Sequence, residues 1–294
     1  MDAAIAGRTS MRRRPAWRAP WRDRTGRFSL LRLCTFVAVV VLPAAWVAAL
    51  SYLRWLDFFG NSIPWETIVI ETGAAAMWLM LATLCVTPLR KITGNNLLIG
   101  VRRMLGLTAF VYGLAHLVLY FILRRWEWPV MAEELGRRIT IVYAIAAFVP
   151  MMVLGLTSAD GAIKWLGRNW NRLHWLVYPA TALAVLHYVS AGRSYGGPPF
   201  ASAGIFIWLM GWRLMNRFRL ASSWWSLPVL TLVSAALSVG FEVLALTLAR
   251  RGRYFDPLSF DNGAPAVLLV LLFGAGAVGL AALATALRSR RVTA

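Results

Sequence analysis

An all-α, polytopic membrane helix bundle is the fold class this sequence predicts, and three observations predict it. Of its 294 residues, 59% are hydrophobic and 15% charged, where a soluble chain has about half its residues apolar and about a quarter charged. Eight apolar runs are each long enough to cross about 30 Å of hydrocarbon at 1.5 Å per residue. The basic residues are also segregated by loop. With the N-terminus placed in the cytoplasm, 22 of the 31 Lys and Arg fall on the cytoplasmic side and 9 on the other. The acids run the other way, three inside against seven outside. Such positive-inside asymmetry puts both termini in the cytoplasm. The net charge of +19 therefore orients the chain in a bilayer and does not mark a nucleic-acid partner. Disorder is excluded by the abundance of aliphatic and aromatic residues. A disulfide scaffold is excluded by having only Cys34 and Cys85, which are expected as small buried apolar side chains.

The elements follow in order. Residues 1–32 form a basic tail with nine Arg, two Pro and no periodic apolar face. It is expected to be disordered or to lie on anionic headgroups, where each Arg adds about 1 kcal/mol. The first span, 33–51, is expected to be a retained anchor, although Arg12, Arg13 and Arg14 before an apolar run can mimic an export signal. About 18 residues separate Arg12, Arg13 and Arg14 from the run, which ends in Tyr52-Leu53-Arg54-Trp55. The next spans are 67–87, 103–123, 139–158, 173–190 and 202–218, followed by 227–249 and 265–287. Connections are short and carry turn chemistry, as in Thr93-Gly94-Asn95-Asn96 inside and 192–199 outside. No loop holds a soluble catalytic domain, and no glycine-rich nucleotide fingerprint is present. Tryptophans at the span ends (Trp55, Trp65, Trp126, Trp128, Trp165, Trp170, Trp224, Trp225) serve as interface anchors. The chain thus divides into the tail 1–32, a core 33–219 and an added helix pair 220–294.

Function is sought first in the three histidines, His116, His174 and His187, all inside spans, where a polar ring is costly. His116 lies eight residues before Arg124, and His187 six residues before Arg193. Both helices run from inside to outside, so the two rings are expected at one height. His174 is 13 residues before His187, about 20 Å deeper at 1.5 Å per residue. Two neutral imidazoles at one height on two helices suit the axial positions of a haem iron, an arrangement for passing electrons. A bond from each ring to a neighbouring carbonyl or hydroxyl is the plainer alternative.

Three histidines cannot complete two bis-histidine haems, so a second haem on His174 needs another partner. Fourteen residues before His116, about 40° from its face, stands Arg102, followed by Arg103. A fixed cation there suits a phosphate or propionate better than an iron. Pro179 lies between His174 and His187 and is able to rephase that helix.

Several segments resemble one family closely. They are Thr87-Pro88-Leu89-Arg90-Lys91-Ile92-Thr93-Gly94, Arg102-Arg103-Met104-Leu105-Gly106-Leu107 with His116, Leu156-Thr157-Ser158, and Trp170-Asn171-Arg172-Leu173-His174-Trp175-Leu176-Val177-Tyr178 with His187. Over residues 28–219 they look like the MsrQ (YedZ) family, haem-binding membrane subunits of a bacterial periplasmic protein-methionine-sulfoxide reductase system, within the ferric-reductase-like transmembrane superfamily. The resemblance implies a six-helix core in the bacterial inner membrane carrying haem b, with His116 and His187 as the axial pair. It implies electrons arriving from a cytoplasmic flavin reductase or from quinol. They would leave to a periplasmic molybdopterin reductase of the MsrP type, which reduces methionine sulfoxide in proteins. FMN is implied near Arg102 and Arg103; whether His174 serves a second haem or the flavin stays open. By this reading the chain is an electron-transfer subunit and not a complete enzyme.

Two readings compete with it. A ferric or oxygen reductase-type transmembrane cytochrome usually carries a fused flavin and nicotinamide domain, which this chain lacks. A cofactor-free membrane assembly or transport protein would use its histidines for protons or packing. The two added spans carry no His; they could seal the bundle, hold a quinone or dock a partner, and the plain expectation is a lipid-facing packing pair. Glu71 and Glu242, the carboxylates well inside spans, are candidates for a proton relay or for pairing with Arg. Arg54, Arg124, Arg125 and Arg193 stand at the outer edge, where they could meet haem propionates.

Overall fold

In hydrocarbon every backbone N–H and C=O must be satisfied within its own segment, so the apolar runs fold as helices. The computed structural model describes residues 19–22, 27–56, 65–191, 197–220, 225–250, 258 and 264–292. Helix α1 (Leu30–Phe36) is capped by Ser29, whose side chain accepts from the Arg32 N–H. It passes through a π-helical turn, Val37–Val41, into α2 (Leu42–Leu56). The wide turn has a sequence cause: Pro43 has no N–H to give Val39, and the Leu42 N–H donates instead to Val37 O. Helix α3 (Trp65–Thr93) is the most buried of the long spans. It ends at Gly94, whose φ of +73° suits a residue without Cβ and whose N–H donates to Arg90 O at 2.8 Å.

After a 3₁₀ turn at Asn96–Gly100 come α4 (Arg102–Leu123), α5 (Trp128–Arg137) and α6 (Ile139–Leu156). The short α7 (Asp160–Leu166) and α8 (Arg168–Leu173) lead through a 3₁₀ turn, His174–Leu176, into α9 (Val177–Ala191). That tightened turn lies where Pro179 cannot donate to Trp175 O, so His174 and His187 do not share one ideal helix. Helices α10 (Pro198–Arg217), α11 (Ser226–Arg250) and α12 (Ala266–Val292) complete the chain. Among the described residues there is no β-strand, only an isolated bridge between Arg22 and Phe28.

Helix α3 is the central rod, packed against α4, α9, α10 and α12; α6 lies on α9, and α10 on α11 and α12. One apolar cluster joins Leu84 of α3, Val185 of α9, Trp208 and Leu209 of α10, Leu230 of α11 and Val270 of α12. The added pair is thus packed into the same core as α3, α9 and α10, not set apart as a lipid-facing pair. Outward faces are apolar as well: Val111, Leu114, Val118 and Ile122 line one side of α4, and Ile145, Val149 and Met152 one side of α6. In water such continuous patches would aggregate; against lipid tails they are the expected surface.

Six helices are long and apolar enough to cross a membrane among the described residues, against eight expected. The two others occupy their expected places, but α9 has only 15 α-helical residues and α10 carries Arg213 and Arg217. Three further expectations change. The outer connection after α4 is not a plain loop but folds into α5, an amphipathic helix with Glu134 turned inward. Glu134 accepts from the Tyr120 hydroxyl and Arg124 at 2.7 Å each and from Arg138 at 3.5 Å. Arg124 is therefore already partnered. Cys34 is exposed and Cys85 only half-buried, so neither is the fully buried apolar side chain expected; α1, which carries Cys34, has no buried residue. Most of the basic tail, together with Arg193 and Trp224, lies outside the described residues, as do the side chains of Arg54 and Trp55.

Candidate functional site

Helices α4 and α9 bring His116 and His187 together, with ring centroids 6.1 Å apart and planes at 69°. A metal–imidazole bond is about 2 Å, so two rings on opposite sides of one metal have centroids about 6 Å apart. Each ring is held by its Nδ1, and each anchor comes from another helix. His116 Nδ1 bonds Val69 O of α3 at 2.7 Å; His187 Nδ1 bonds Thr140 O of α6 at 3.0 Å. A carbonyl only accepts, so both rings carry their proton on Nδ1 and leave Nε2 with a free lone pair. A ligating histidine is commonly fixed in this way by the bond its other nitrogen makes. The two pairs are built alike, since 47 residues separate carbonyl from imidazole in both.

Room for the His116 ring comes from Gly73, one turn beyond Val69. A Cβ there would meet Cε1 and Nδ1 of His116 at 2.8 Å. Among the described residues no group of three or more His, Cys, Asp or Glu could hold a bare metal ion. Two imidazoles alone are too few ligands for such an ion, but they suit a metal whose other positions a macrocycle fills. The donor set thus fits a haem.

The opposite end of the bundle holds a different constellation. His174 stacks on Trp170 at 3.7 Å between centroids, and its Nδ1 bonds Trp170 O at 3.1 Å. Trp170 in turn donates from Nε1 to Thr157 O at 3.1 Å. Arg102 is half-buried near His174, Tyr178 and Arg213. Among the described residues it forms no ion pair. Arg103 points elsewhere and holds Asp160 at 2.6 Å on the surface. The structure therefore separates Arg102 from Arg103 and groups the former with His174.

Sequence reasoning missed Gly73, the two carbonyl anchors and Arg213. Arg213 donates to Leu84 O at 2.6 Å and to Leu209 O at 2.7 Å, and its guanidinium lies 5.4 Å from the Tyr178 ring centroid. Leu84 O is the acceptor that Pro88, four residues on, cannot serve. An arginine within an apolar run and a proline within a helix were both visible signals for it.

Residues 72–185 match the family described as the ferric reductase like transmembrane component. They include His116 and His174 and stop two residues short of His187. A protein-methionine-sulfoxide reductase heme-binding subunit MsrQ from Xanthomonas axonopodis pv. citri is 43% identical over 190 residues, covering 61% of this chain and 87% of that protein. The MsrQ of Xanthomonas campestris pv. campestris gives the same figures, 43% over 190 residues, 61% and 87%. That of Azospira oryzae is 38% identical over 181 residues, covering 60% and 77%. No solved structure matches. The class is a polytopic helical membrane protein with a ferric-reductase-like transmembrane region. Within it, the chain belongs to the MsrQ family.

Proposed function

We propose that this chain is a haem b membrane electron-transfer subunit, with His116 and His187 as the axial pair on one iron. The observation that carries the reading is the 6.1 Å separation of two rings whose Nδ1 atoms are both engaged by backbone carbonyls. A haem iron with both axial positions filled passes single electrons and offers no position to a substrate. The protein's part is orientation. Val69 O and Thr140 O fix the tautomers, Gly73 admits the ring, and α3 and α6 keep both anchors in place. The similarity to subunits named for protein-methionine-sulfoxide reductase supports a periplasmic molybdopterin reductase of the MsrP type as electron acceptor. A cytoplasmic flavin reductase or quinol is the donor, and the inner membrane is the location.

At the other end, Arg102, with His174 beside it, is the principal phosphate-facing cation for FMN, and Arg103, turned to Asp160 in an exposed pair, contributes less. A charge-assisted bond contributes about 1.5–3 kcal/mol, so Arg102→Gln weakens FMN retention by tenfold or more, whereas Arg103→Gln leaves it near that of the unaltered protein. The main reading is tested by reduced-minus-oxidised spectroscopy of the purified full chain. A b-type signal is expected, lost in His116→Ala and in His187→Ala and kept in His174→Ala. A chain that purifies folded without haem would overturn the proposal.

A further inference from the structure

Helix α11 turns a polar line inward, toward α10 and α12. Thr231, Ser234, Ser238 and Glu242 recur at three- and four-residue steps and are all buried. The first and third are partnered: Thr231 accepts from Trp208 Nε1 at 3.1 Å, and Ser238 donates to Phe200 O at 3.2 Å. Glu242 is 1% exposed, yet its Oε2 has no hydrogen-bond partner, and neither has the Ser234 hydroxyl. The surfaces that α10 and α12 bring to this stretch carry no charge among the described residues: Phe200, Ala201 and Gly204 from one, Ala266, Leu269 and Val270 from the other. On α11 itself the nearest charge is Arg250, two turns on.

A carboxylate without a cation is strongly disfavoured in such surroundings, whereas the protonated acid is tolerated once its polar atoms find partners. The open Oε2 needs a donor, and water is the donor small enough to reach it. Toward Thr231 the packing is closed. A Cβ on Gly274 would collide with Thr231, and one on Gly204 would come within 2.8 Å of Ser238 Oγ. Toward the ends where α10 and α12 begin, Phe200, Ala201, Leu246 and Ala266 form a buried apolar cluster, so a water at Oε2 is an enclosed one. The carboxyl also lies at the depth of the histidine pair, because its neighbours Phe241 and Leu246 share an apolar cluster with Val189, two residues past His187.

We propose that Glu242 is a proton-holding site of the added helix pair: a neutral carboxyl that shares and exchanges its proton with a water enclosed beside Oε2. The ligand is a water molecule, hydrogen-bonded to Oε2, and the exchange moves one proton between carboxyl and water. The proposal is independent of whether haem binds to His116 and His187.

The test is infrared spectroscopy of the full chain in lipid nanodiscs. The unaltered protein shows the C=O stretch of a protonated acid, which moves to lower frequency in D₂O. Glu242→Gln removes this band and Glu71→Gln keeps it. A spectrum unchanged by Glu242→Gln, or a band that D₂O leaves in place, overturns the proposal. Should Glu242→Gln fail to fold, the deuterium shift of the unaltered protein still reports water access. A hydrophobic carbodiimide, which reacts with protonated intramembrane acids, then assigns it by mass spectrometry. An adduct on Glu242 supports the site, and its absence overturns it.

Discussion

Substituting Gly73 by Ala sets two effects of opposite sign against each other. By helix propensity alone, Ala in a helix interior is about 0.5–1 kcal/mol more stable than Gly. Packing opposes it. The new methyl would stand 2.8 Å from Cε1 and Nδ1 of His116, so ring or helix must give by about 0.6 Å to restore ordinary contact. That displacement acts on the atom that bonds Val69 O at 2.7 Å. Overpacking costs about 1–3 kcal/mol and the lost hydrogen bond about 1 kcal/mol, so destabilisation by about 1–3 kcal/mol remains after the propensity gain. Disturbing the group that orients a metal ligand weakens metal binding by about 10–100-fold, and haem retention is expected to fall in that range. The assay is haem content and thermal unfolding of the purified protein, with Gly106→Ala as control. There the new methyl meets only Thr83 Cγ2, at 3.7 Å. A Gly73→Ala protein as stable as the control and with full haem content would refute the reasoning.

Arg213→Met strips Leu84 O of the donor that replaces the missing Pro88 N–H, and is expected to lower stability by about 2–3 kcal/mol. Adding Pro88→Ala restores a backbone donor, so a double-mutant cycle of thermal unfolding should show positive coupling. Glu134→Ala leaves Arg124, Arg138 and the Tyr120 hydroxyl without their acceptor, and hydrogen exchange should quicken selectively in α5. By contrast Glu133→Ala breaks only the exposed pair with Arg137 and should change stability by less than about 0.5 kcal/mol. Gly274→Ala drives a methyl into Thr231 and should splay α11 from α12, lowering the melting temperature; Thr231→Ala in the same chain should recover part of the loss.

Depth was legible in the sequence because position along a transmembrane helix is linear in residue number. Arg124 and Arg193 marked the same water boundary, so counting back from each put His116 and His187 level. The lateral approach of the rings was not legible, because it depends on which helices pack together. Their carbonyl anchors were hidden for another reason: every residue offers a backbone acceptor, so Val69 O and Thr140 O leave no signature in residue type. Gly73 was one of 23 glycines, and only the ring above it sets it apart. Arg102 and Arg103 look equivalent in a motif, but successive residues on a helix are rotated by about 100°. One of them consequently faces His174 and the other Asp160.

The likeness of the two helix pairs explains why the site stands where it does. In α3 and α4, as in α6 and α9, a carbonyl near the start of one helix holds an imidazole near the end of another at the same chain separation. Each ring is therefore positioned by a helix other than its own, and its orientation follows the packing of a pair. At the opposite end the likeness breaks. Helix α9 is preceded there by His174, whereas α4 begins with Arg102, and a guanidinium repels a metal where an imidazole would bind one. The four helices consequently form one two-ring site at one end and a cationic, anion-suited site at the other. That difference in chemistry makes the two ends of the bundle unlike, one cationic and one presenting two imidazoles.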